Sequence, residues 1–436
     1  MAAPTSAEAR ALVVSHEVVT KVEWKRWYDP DTDYQPLQEL PGLVVTGGAA
    51  QMDRWSFVRR TGNLTVGGRE AIVRQDWTGP LSPHNRYRLW RGVKIGGWEK
   101  LWLLGTFMLT GFKPGPFGEL SLELADEMKM VELDDLPAPL GLPADVPVAD
   151  ALRWLLTDTT TWGDYAGTHN GYTDEGPLAP QTWAAMTPVP TFTDPRNGDP
   201  TKDPPAWVTT GPLNTTGTMA DLLGEVAELS GSRSSAVDTL MAVTDTAVYV
   251  DEYGVLRVAK RPATIDAGTW DPAAIIAGGH LTWTFDVGDG GSVIEQTPEW
   301  TIEDTINETV ITSADYARRA QVTTGPMSPN QLGMTLRYME DVSSEPFSEQ
   351  RPQLLAYANR VAAEQLGAAR PISVSSLVLP FLKPDDYVLV PSFVGTVRGD
   401  DEMVIVDSVS IPLDHAAEMT MTTRKLDLDN APDGVL

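Results

Sequence analysis

GPLSPHNRYRLWRGV at residues 79–93, followed by WEKLWLLGTFMLTGF at residues 98–112, is the stretch that decides the fold of this chain. Two runs rich in aromatic and aliphatic residues flank a glycine turn at 95–97, which is the pattern of a β-hairpin. Similar alternating runs recur along the chain, and one long helical pattern at 348–367 interrupts them. We therefore predict a mainly β fold with minor α content, built from two β-barrel domains and a smaller α+β region.

The second strand of this hairpin is apolar on both of its faces. In strand geometry one face holds Leu101, Leu103, Phe107 and Leu109, and the other holds Trp102, Leu104 and Met108. A strand with one face in water alternates between apolar and polar residues, so a strand with two apolar faces is covered twice. We expect its own core to cover one face and another subunit to cover the other.

The first strand concentrates basic charge in an acidic chain. Tyr87 and Leu89 share one face with Arg91, whereas Arg86 and Arg88 share the other with Trp90. Arginine pairs bidentately with carboxylates and stacks on aromatic rings, so these side chains suit the acidic surface of a neighbouring copy. The predicted subunit-interface residues are Arg86, Arg88, Trp90, Arg91, Trp102, Leu104 and Met108. A solvated face and a contact with DNA are the alternatives.

The charge balance limits the partners of the chain. It has 60 acidic and 33 basic residues, a formal net charge of -27, and no cysteine. Such a surface repels the phosphates of DNA and of anionic lipids, which argues against a DNA reader or a membrane-surface protein. An acidic wall still lets DNA slide past without sticking. The longest apolar run, at 101–109, is about half a membrane span, so we expect a soluble protein without a membrane-spanning segment.

No pattern for catalysis, for a metal or for a cofactor stands out. DPDTDY at 29–34 is similar to a calcium loop, but Tyr34 replaces the required glycine and Leu40 replaces the bidentate glutamate. The histidines are far apart, and HExxH, GxSxG and P-loop patterns are absent. We therefore expect no enzymatic activity and no cofactor. Carboxylates assembled from distant strands, as in a glycoside hydrolase, stay open as an alternative.

Changes in composition divide the chain into five regions. A proline-rich stretch with little periodicity separates the early strands from the later ones, and it contains one short helical pattern at 148–156. A helical pattern from Thr218 and a hairpin pattern at 247–262 follow it. The predicted regions are a first β-barrel domain at 1–135, a Pro/Gly-rich excursion at 136–217, a helix–hairpin region at 218–262, a second β-barrel domain at 263–426 and a tail at 427–436.

Several of these segments together resemble one protein family. The opening hairpin, VYVDEYGVLRV at 248–258, the helix LLAYANRVAAEQLG at 354–367 with the strands that follow, and VDSVSIPLDHAAEMTMTTRKL at 406–426 are similar to segments of the baseplate-hub (tail-hub) family. This family comprises minor tail proteins of long-tailed actinobacteriophages. The sequence departs from it at PDD, residues 384–386, where a Gly-Asp turn is expected. The stretch at 136–217 resembles nothing in the family.

The resemblance implies a structural virion protein at the tail tip of a siphophage, assembled in the host cytoplasm. Hub proteins of this kind form homotrimers with two related barrels per chain, which match a six-fold tail tube to a three-fold tip or fibre apparatus. The implied partners are sister copies, the distal tail protein or tail tube above, and the tape measure protein with tip or fibre proteins below. Phage DNA would pass transiently through an acidic lumen without specific binding.

Two other functions remain as alternatives. A hexameric distal tail protein with a carbohydrate-binding, receptor-facing module would account for the 14 tryptophans. A tail enzyme that degrades host glycans would need carboxylates brought together by the fold. Copy number separates the first alternative from a trimeric hub, and release of reducing sugar separates the second.

Overall fold

The computed structural model describes only part of the chain, and everything below refers to that part. The described residues are 17–26, 34–37, 44–68, 79–83, 85–95, 98–115, 118–133, 140–142, 207–210, 227–229, 232–244, 246–254, 256–260, 276, 281–287, 292–298, 306–313, 317–321, 328–342, 371–394, 397–414 and 417–425.

Strands dominate the described residues. They are β1 (Glu17–Arg26), β2 (Gln35–Pro36), β3 (Val44–Asp53), β4 (Arg60–Gly67), β5 (Asn85–Ile95), β6 (Trp98–Pro114), β7 (Leu120–Ala125), β8 (Leu140–Leu142), β9 (Trp207–Thr210), β10 (Ala227–Leu229), β11 (Thr246–Val250), β12 (Leu256–Lys260), β13 (Leu281–Thr284), β14 (Val293–Pro298), β15 (Glu308–Thr312), β16 (Ala317–Gln321), β17 (Arg337–Asp341), β18 (Pro371–Ser376), β19 (Tyr387–Val394), β20 (Val397–Pro412) and β21 (Met419–Lys425). The helices are α1 (Met128–Leu133), α2 (Arg233–Thr244) and α3 (Pro329–Leu332). The predicted mainly β fold with minor α content is confirmed.

One 13-stranded sheet carries most of the architecture. Its order is β14-β18-β21-β20-β3-β4-β7-β6-β5-β1-β2, with β19 attached to β20 and β13 attached to β19. The predicted hairpin of the opening stretch is confirmed as the antiparallel pair β5–β6. The other sheets are β10-β8, β11-β12-β9 and β16-β15-β17. Among the described residues, no helix is both long and apolar enough to cross a membrane.

The large sheet contains the same six-stranded unit twice. In the first unit the strands β1, β3, β4, β5, β6 and β7 lie in the order β3-β4-β7-β6-β5-β1. In the second unit β13, β14, β18, β19, β20 and β21 lie in the order β14-β18-β21-β20-β19-β13. Numbered along the chain, both orders are identical. The units differ at the last strand, because β1 runs antiparallel to β5 whereas β13 runs parallel to β19.

Irregularities in the ladders confirm this duplication at the level of residues. The β3–β4 register shifts between Val45 and Gly47, and the β14–β18 register shifts between Val293 and Glu295. The β6–β7 register shifts between Leu109 and Gly111, and the β20–β21 register shifts at the matching place, between Val406 and Ser408. A bulge inserts one residue at a defined position, so matched bulges define a residue-by-residue alignment of the two units.

The two units are joined by pairing between β3, the edge strand of the first unit, and β20, an interior strand of the second. Ser408 lies opposite Asp53, and the antiparallel pairing continues to Pro412 opposite Ala49. The first unit falls within the predicted region 1–135 and the second within 263–426. The exact bounds of those regions stay a prediction.

A single hydrophobic core runs through both units. Trp102 of the first unit packs against Phe381, with ring centroids 6.1 Å apart, and Phe381 packs against Trp283 of the second unit at 5.5 Å. These rings belong to one continuous cluster of buried side chains that also includes Tyr87 and Leu89. The Tyr87 hydroxyl donates to the Pro80 carbonyl at 2.8 Å, which satisfies its polar end inside the core.

The hairpin differs from the prediction in the phase of its second strand. Leu89 pairs with Gly105 but Trp90 pairs with Leu103, so Leu104 is an inserted residue in a β-bulge. The bulge moves Trp102 to the same core face as Phe107, and places Leu103 on the opposite face with Trp90. Both faces are nevertheless covered over this stretch, as expected. The cover comes from this chain, since Trp102, Leu104 and Phe107 are 2%, 1% and 0% exposed in a single copy.

The smaller elements pack beside the first unit. The predicted hairpin at 247–262 is confirmed as β11–β12, and the buried side chains of α1 and α2 meet next to it. The helix expected from Thr218 differs at its end, where Ala227–Leu229 is a strand paired with β8. The helix in this part of the chain is instead α2, Arg233–Thr244, which packs on α1. The predicted helices at 148–156 and 348–367 lie outside the described residues.

Candidate functional site

Four strands of the second unit and β3 of the first form a face of regular alternation. Val374, Met421, Val409 and Met52 point into the core and are nearly fully buried. Their neighbours along each strand point outward and are polar, as the two-residue period of a strand requires. This alternation separates a dry face of the sheet from a wet one.

The outward side chains form two straight rows across five strands. The first row consists of Glu295, Ser375, Thr420, Ser410 and Gln51, each directly opposite the next. The second row consists of Thr297, Ser373, Thr422, Ser408 and Asp53. Within the second row the Ser408 and Thr422 hydroxyls hydrogen-bond at 2.6 Å. The first row therefore presents three neighbouring hydroxyls and the second row four, and each row ends in a carboxylate.

These two rows line a shallow groove. Its volume is about 470 Å³, and the ten row residues form most of its wall. Serine and threonine hydroxyls both donate and accept hydrogen bonds and carry no charge, so such a wall holds water without attracting either sign of ion strongly.

The same wet face continues into the first unit. Thr61 lies opposite Gln51, Asn63 lies opposite Glu123, and Thr65 lies opposite Ser121. Lys113 lies opposite Ser121 and pairs with the Glu123 carboxylate. We call this eight-strand surface, from β14 through β18, β21, β20, β3, β4 and β7 to β6, the polar face. Among the residues named in these pairings three are acidic, Asp53, Glu123 and Glu295, and one is a cation, Lys113, which is paired. Further along β21 on the same face, Arg424 is buried and lies 3.4 Å from the Asp407 carboxylate.

A buried ionic junction holds the small β11–β12 hairpin against both units of the large sheet. Glu252 in its turn is 6% exposed, and its carboxylate lies 3.5 Å from Arg60 Nη2 and 3.9 Å from Lys383 Nζ. The Thr106 hydroxyl donates to the Glu252 carbonyl at 3.0 Å. Burial by itself would raise the pKa of the Glu252 carboxyl, but the two cations hold it below its ordinary value. One turn is therefore tied to both units at once.

The PDD turn at 384–386 forms the other half of this junction. Asp385 has a left-handed backbone with φ of 75°. Its carboxylate forms an ion pair with Arg54 at 2.8 Å and accepts a hydrogen bond from Arg59 at 3.2 Å. The Arg59 guanidinium in turn stacks on Tyr249 of β11 at 4.3 Å. Aspartate tolerates the left-handed region better than most residues do, because its short side chain bonds locally. The departure from the family pattern therefore supplies a carboxylate that binds two arginines.

Two carboxyls near this junction have strongly raised pKa values. Asp126 is fully buried, and burial raises its pKa to about 7 even though Arg60 N–H and Met128 N–H donate to its oxygens. Burial also raises the pKa of Asp386 to about 6, against the pull of Lys383. Both groups therefore titrate near neutral pH rather than near pH 4.

Three of the predicted interface residues lie at the surface formed by β1, β5 and β6, and each contacts or faces a residue of the same chain. Arg88 stacks on the Tyr34 ring at 3.8 Å and is half-buried. Trp90 donates its indole N–H to Glu23 at 2.7 Å. Met108 lies opposite Arg86 on the same face and is half-buried. This face keeps some accessible surface, and its contact with a sister subunit stays a prediction.

The other four predicted interface residues are deeply buried. Arg86 pairs with the Glu127 carboxylate, and Arg91 donates to the Pro412 and Asp414 carbonyls, the latter at 2.8 Å. Trp102 and Leu104 belong to the core. These side chains stabilise the chain itself. Arg91, for example, adds a connection between the first unit and the end of β20. A subunit contact through them also stays a prediction.

Sequence reasoning missed both the polar face and the ionic junction. The stretches ISVSSLV and EMTMTTRKL were expected to be strands, and their alternation of Ser/Thr with Val/Met is typical of strands with one wet side. The rows arise only from the strand register, and the register joins residues as distant as Gln51 and Ser410. The spacing of Arg60 and Glu252 likewise carries no local signal.

Comparisons with known proteins agree with the fold. No protein-family model and no curated protein sequence matches the chain. Among solved structures, the chain is similar to a tail protein from Neisseria meningitidis MC58, with a TM-score of 0.55 and 11% identity over 95% of this chain and 99% of that one. It is also similar to the 43 kDa tail protein of prophage MuSo2 from Shewanella oneidensis, with a TM-score of 0.52 and 9% identity over 94% and 99%.

A third similar structure is a chain of the half-lidded Francisella PdpA-VgrG complex. Its TM-score is 0.50 and its identity 8%, over 98% of this chain and 61% of that one. Identities this low establish a shared fold. This chain therefore has the fold of the Neisseria and Shewanella tail proteins over nearly its whole length.

Proposed function

We propose that this chain is a structural protein of a phage tail tip, the hub, and that three copies form a closed ring. The ring would join a six-fold tail tube to a three-fold tip or fibre apparatus. The fold shared with tail proteins supports a place in the tail. The duplicated unit supports the stoichiometry, because two equivalent units in each of three copies present six equivalent positions.

The observation that carries this proposal is the polar face. Eight strands share a wet surface of hydroxyls, amides and carboxylates, while the reverse side of the same strands is core. In a ring, such a face suits the wall of a water-filled passage. Its exposed carboxylates, Asp53, Glu123 and Glu295, repel phosphates, and its exposed lysine, Lys113, is already paired, so we expect DNA to cross it without specific contact.

The duplication also distinguishes the hub from the distal tail ring. A protein with one unit needs six copies to match a six-fold tube, whereas a protein with two units needs three. We therefore favour three copies over the hexameric alternative. A count of six copies per particle would replace the hub by the distal ring.

The ring implies contacts above, below and between copies. We propose the tail tube or distal tail protein at one end, and the tape measure protein with tip or fibre proteins at the other. Between copies we retain Arg88, Trp90 and Met108 as candidate contacts, since they keep accessible surface on the β1-β5-β6 ribbon. We assign no enzymatic role; release of reducing sugar from host cell-wall glycan by the purified protein would contradict this.

The absence of cysteine allows a direct test of the passage. Thr422→Cys places a single thiol at the centre of the polar face, and Met339→Cys places one on β17, where the side chain is 65% exposed. In intact particles carrying either variant, we expect a small maleimide to label both thiols. A maleimide on a large polymer should label only the β17 thiol, because the passage excludes it.

The dissociated protein is the control, and there both thiols should react with both reagents. Equal labelling of the Thr422→Cys thiol by the polymer reagent in particles and in dissociated protein would overturn the assignment of the polar face to the lumen. A single copy of the chain per particle, counted by mass spectrometry, would overturn the ring itself.

A further inference from the structure

The small sheet β16-β15-β17 turns one of its faces to water. On its reverse face, Thr309 and Ile311 of β15 are 1% and 0% exposed, so that side packs against the chain. The front face contains the alternate residues of each strand, because side chains along a strand repeat every two residues. In the register of this sheet, Val310 on the front face lies opposite Arg319 on one side and Met339 on the other. Met339 is 65% exposed, so the front face is open in a single copy.

This front face contains one carboxylate that two arginines cover. The Glu308 side chain is fully buried, whereas those of Arg319 and Arg337 are 44% and 48% exposed. Arg337 Nε donates to Oε1 of Glu308, and Arg319 Nε donates to Oε2. Both carboxylate oxygens are therefore occupied. The two guanidinium groups lie on either side of one carboxylate, with nearly half of each arginine side chain in water.

The cluster has one more cation than it has carboxylates. Glu308 neutralises one arginine, and within the described part of the chain neither arginine has another polar partner. The buried junction provides the contrast, because Glu252 also binds two cations but its Lys383 is attracted by Asp386 as well. An exposed cation that is not balanced is suited to bind an anion. The buried carboxylate also orders both arginines in advance, which lowers the entropy lost on binding.

The chemistry of the two arginines indicates which anion fits. A guanidinium group is a planar fork of N–H donors that matches carboxylates and phosphates. A carboxylate has two acceptor oxygens, and that of Glu308 already bridges the two arginines. A phosphomonoester carries more negative charge and three terminal oxygens, so it can accept from both guanidinium groups at once. Val310 and Met339 give the face an apolar part, which favours an organic phosphate over free phosphate.

We propose that Arg319 and Arg337, positioned by Glu308, form a binding site for a phosphomonoester group, and that a phosphorylated molecule of the host surface supplies this group. Binding of the phosphate requires only the small sheet. Its source at the host surface rests on the proposed place of the chain at the tail tip. Three copies in a ring present three such sites, and a surface that bears many phosphates would be held more tightly by three sites than by one.

Calorimetric titration of the purified full-length chain tests the site. We expect the wild-type protein to bind inorganic phosphate and glycerol phosphate, and acetate not to displace either. Arg337→Gln leaves Arg319 to pair with Glu308, so this variant should fold while its affinity for both phosphates falls by about tenfold or more. Should it not fold, Arg337→Lys keeps the ion pair and removes the fork. The matched control is Lys94→Gln, which removes a cation that is 44% exposed on β5 and should bind phosphate as the wild type does.

Absence of phosphate binding by the wild-type protein, or an equal loss of affinity in Arg337→Gln and Lys94→Gln, would overturn the site.

Adsorption of particles to host cells tests the source of the phosphate. Treatment of the cells with a phosphatase should reduce adsorption of wild-type and Lys94→Gln particles, and should have little effect on Arg337→Gln particles, which adsorb weakly from the start. If adsorption is the same in all three and the phosphatase changes nothing, the host-surface source is overturned and the phosphate site stands. If particles contain a single copy of the chain, the hub is overturned, while phosphate binding by the purified chain is unaffected.

Discussion

Truncation of Glu252 to alanine should destabilise the packing of the β11–β12 hairpin. The carboxylate is nearly fully buried, and it is the shared partner of Arg60 at 3.5 Å and Lys383 at 3.9 Å. Removing one member of a buried ion pair leaves uncompensated charge and costs about 3–5 kcal/mol. Two features reduce this value here: Arg60 also donates to the Val250 carbonyl, and Lys383 keeps the attraction of Asp386. We therefore expect about 2–4 kcal/mol.

Hydrogen exchange read by mass spectrometry measures this effect locally. Amides of β11 and β12 should lose protection by about 2–3 orders of magnitude if the hairpin opens separately from the large sheet. Protection of β4 and β21 should stay at the wild-type level. The matched control is Glu132→Ala on α1, whose exposed pair with Lys129 contributes less than about 1 kcal/mol. If the β11 amides are equally protected in Glu252→Ala and Glu132→Ala, the ionic junction does not hold the hairpin against the large sheet.

Two further outcomes follow from the same structure. Burial raises the pKa of Asp126 to about 7, so between about pH 4 and 7 the folded state binds more protons than the unfolded state. Stability should therefore fall as pH rises through this range, and Asp126→Asn should flatten the slope in urea titrations. Gly92→Ala should destabilise strongly in the same titrations, because the new Cβ would lie 1.9 Å from the Lys100 carbonyl oxygen, whereas Gly47→Ala meets nothing within 4 Å.

The sequence predicted local features of this fold well. Alternation of apolar and polar residues predicted the opening hairpin, the β11–β12 hairpin and the closing strands, because side chains along a strand repeat every two residues. The phase of β6 was wrong because a bulge adds one residue without changing composition. Leu104 carries no sign that it is inserted, and only the pairing of Leu89 with Gly105 reveals it.

Features that depend on register were beyond the sequence. Arg86 and Arg91 were expected at a subunit surface because basic residues are rare in this chain, yet their carboxylate and carbonyl partners come from Glu127 and Pro412. The hydroxyl rows likewise form only because the registers of four neighbouring strand pairs place these residues opposite one another. Burial of Trp102 by Phe381 arises from the joining of two units, which a reading of one hairpin cannot supply.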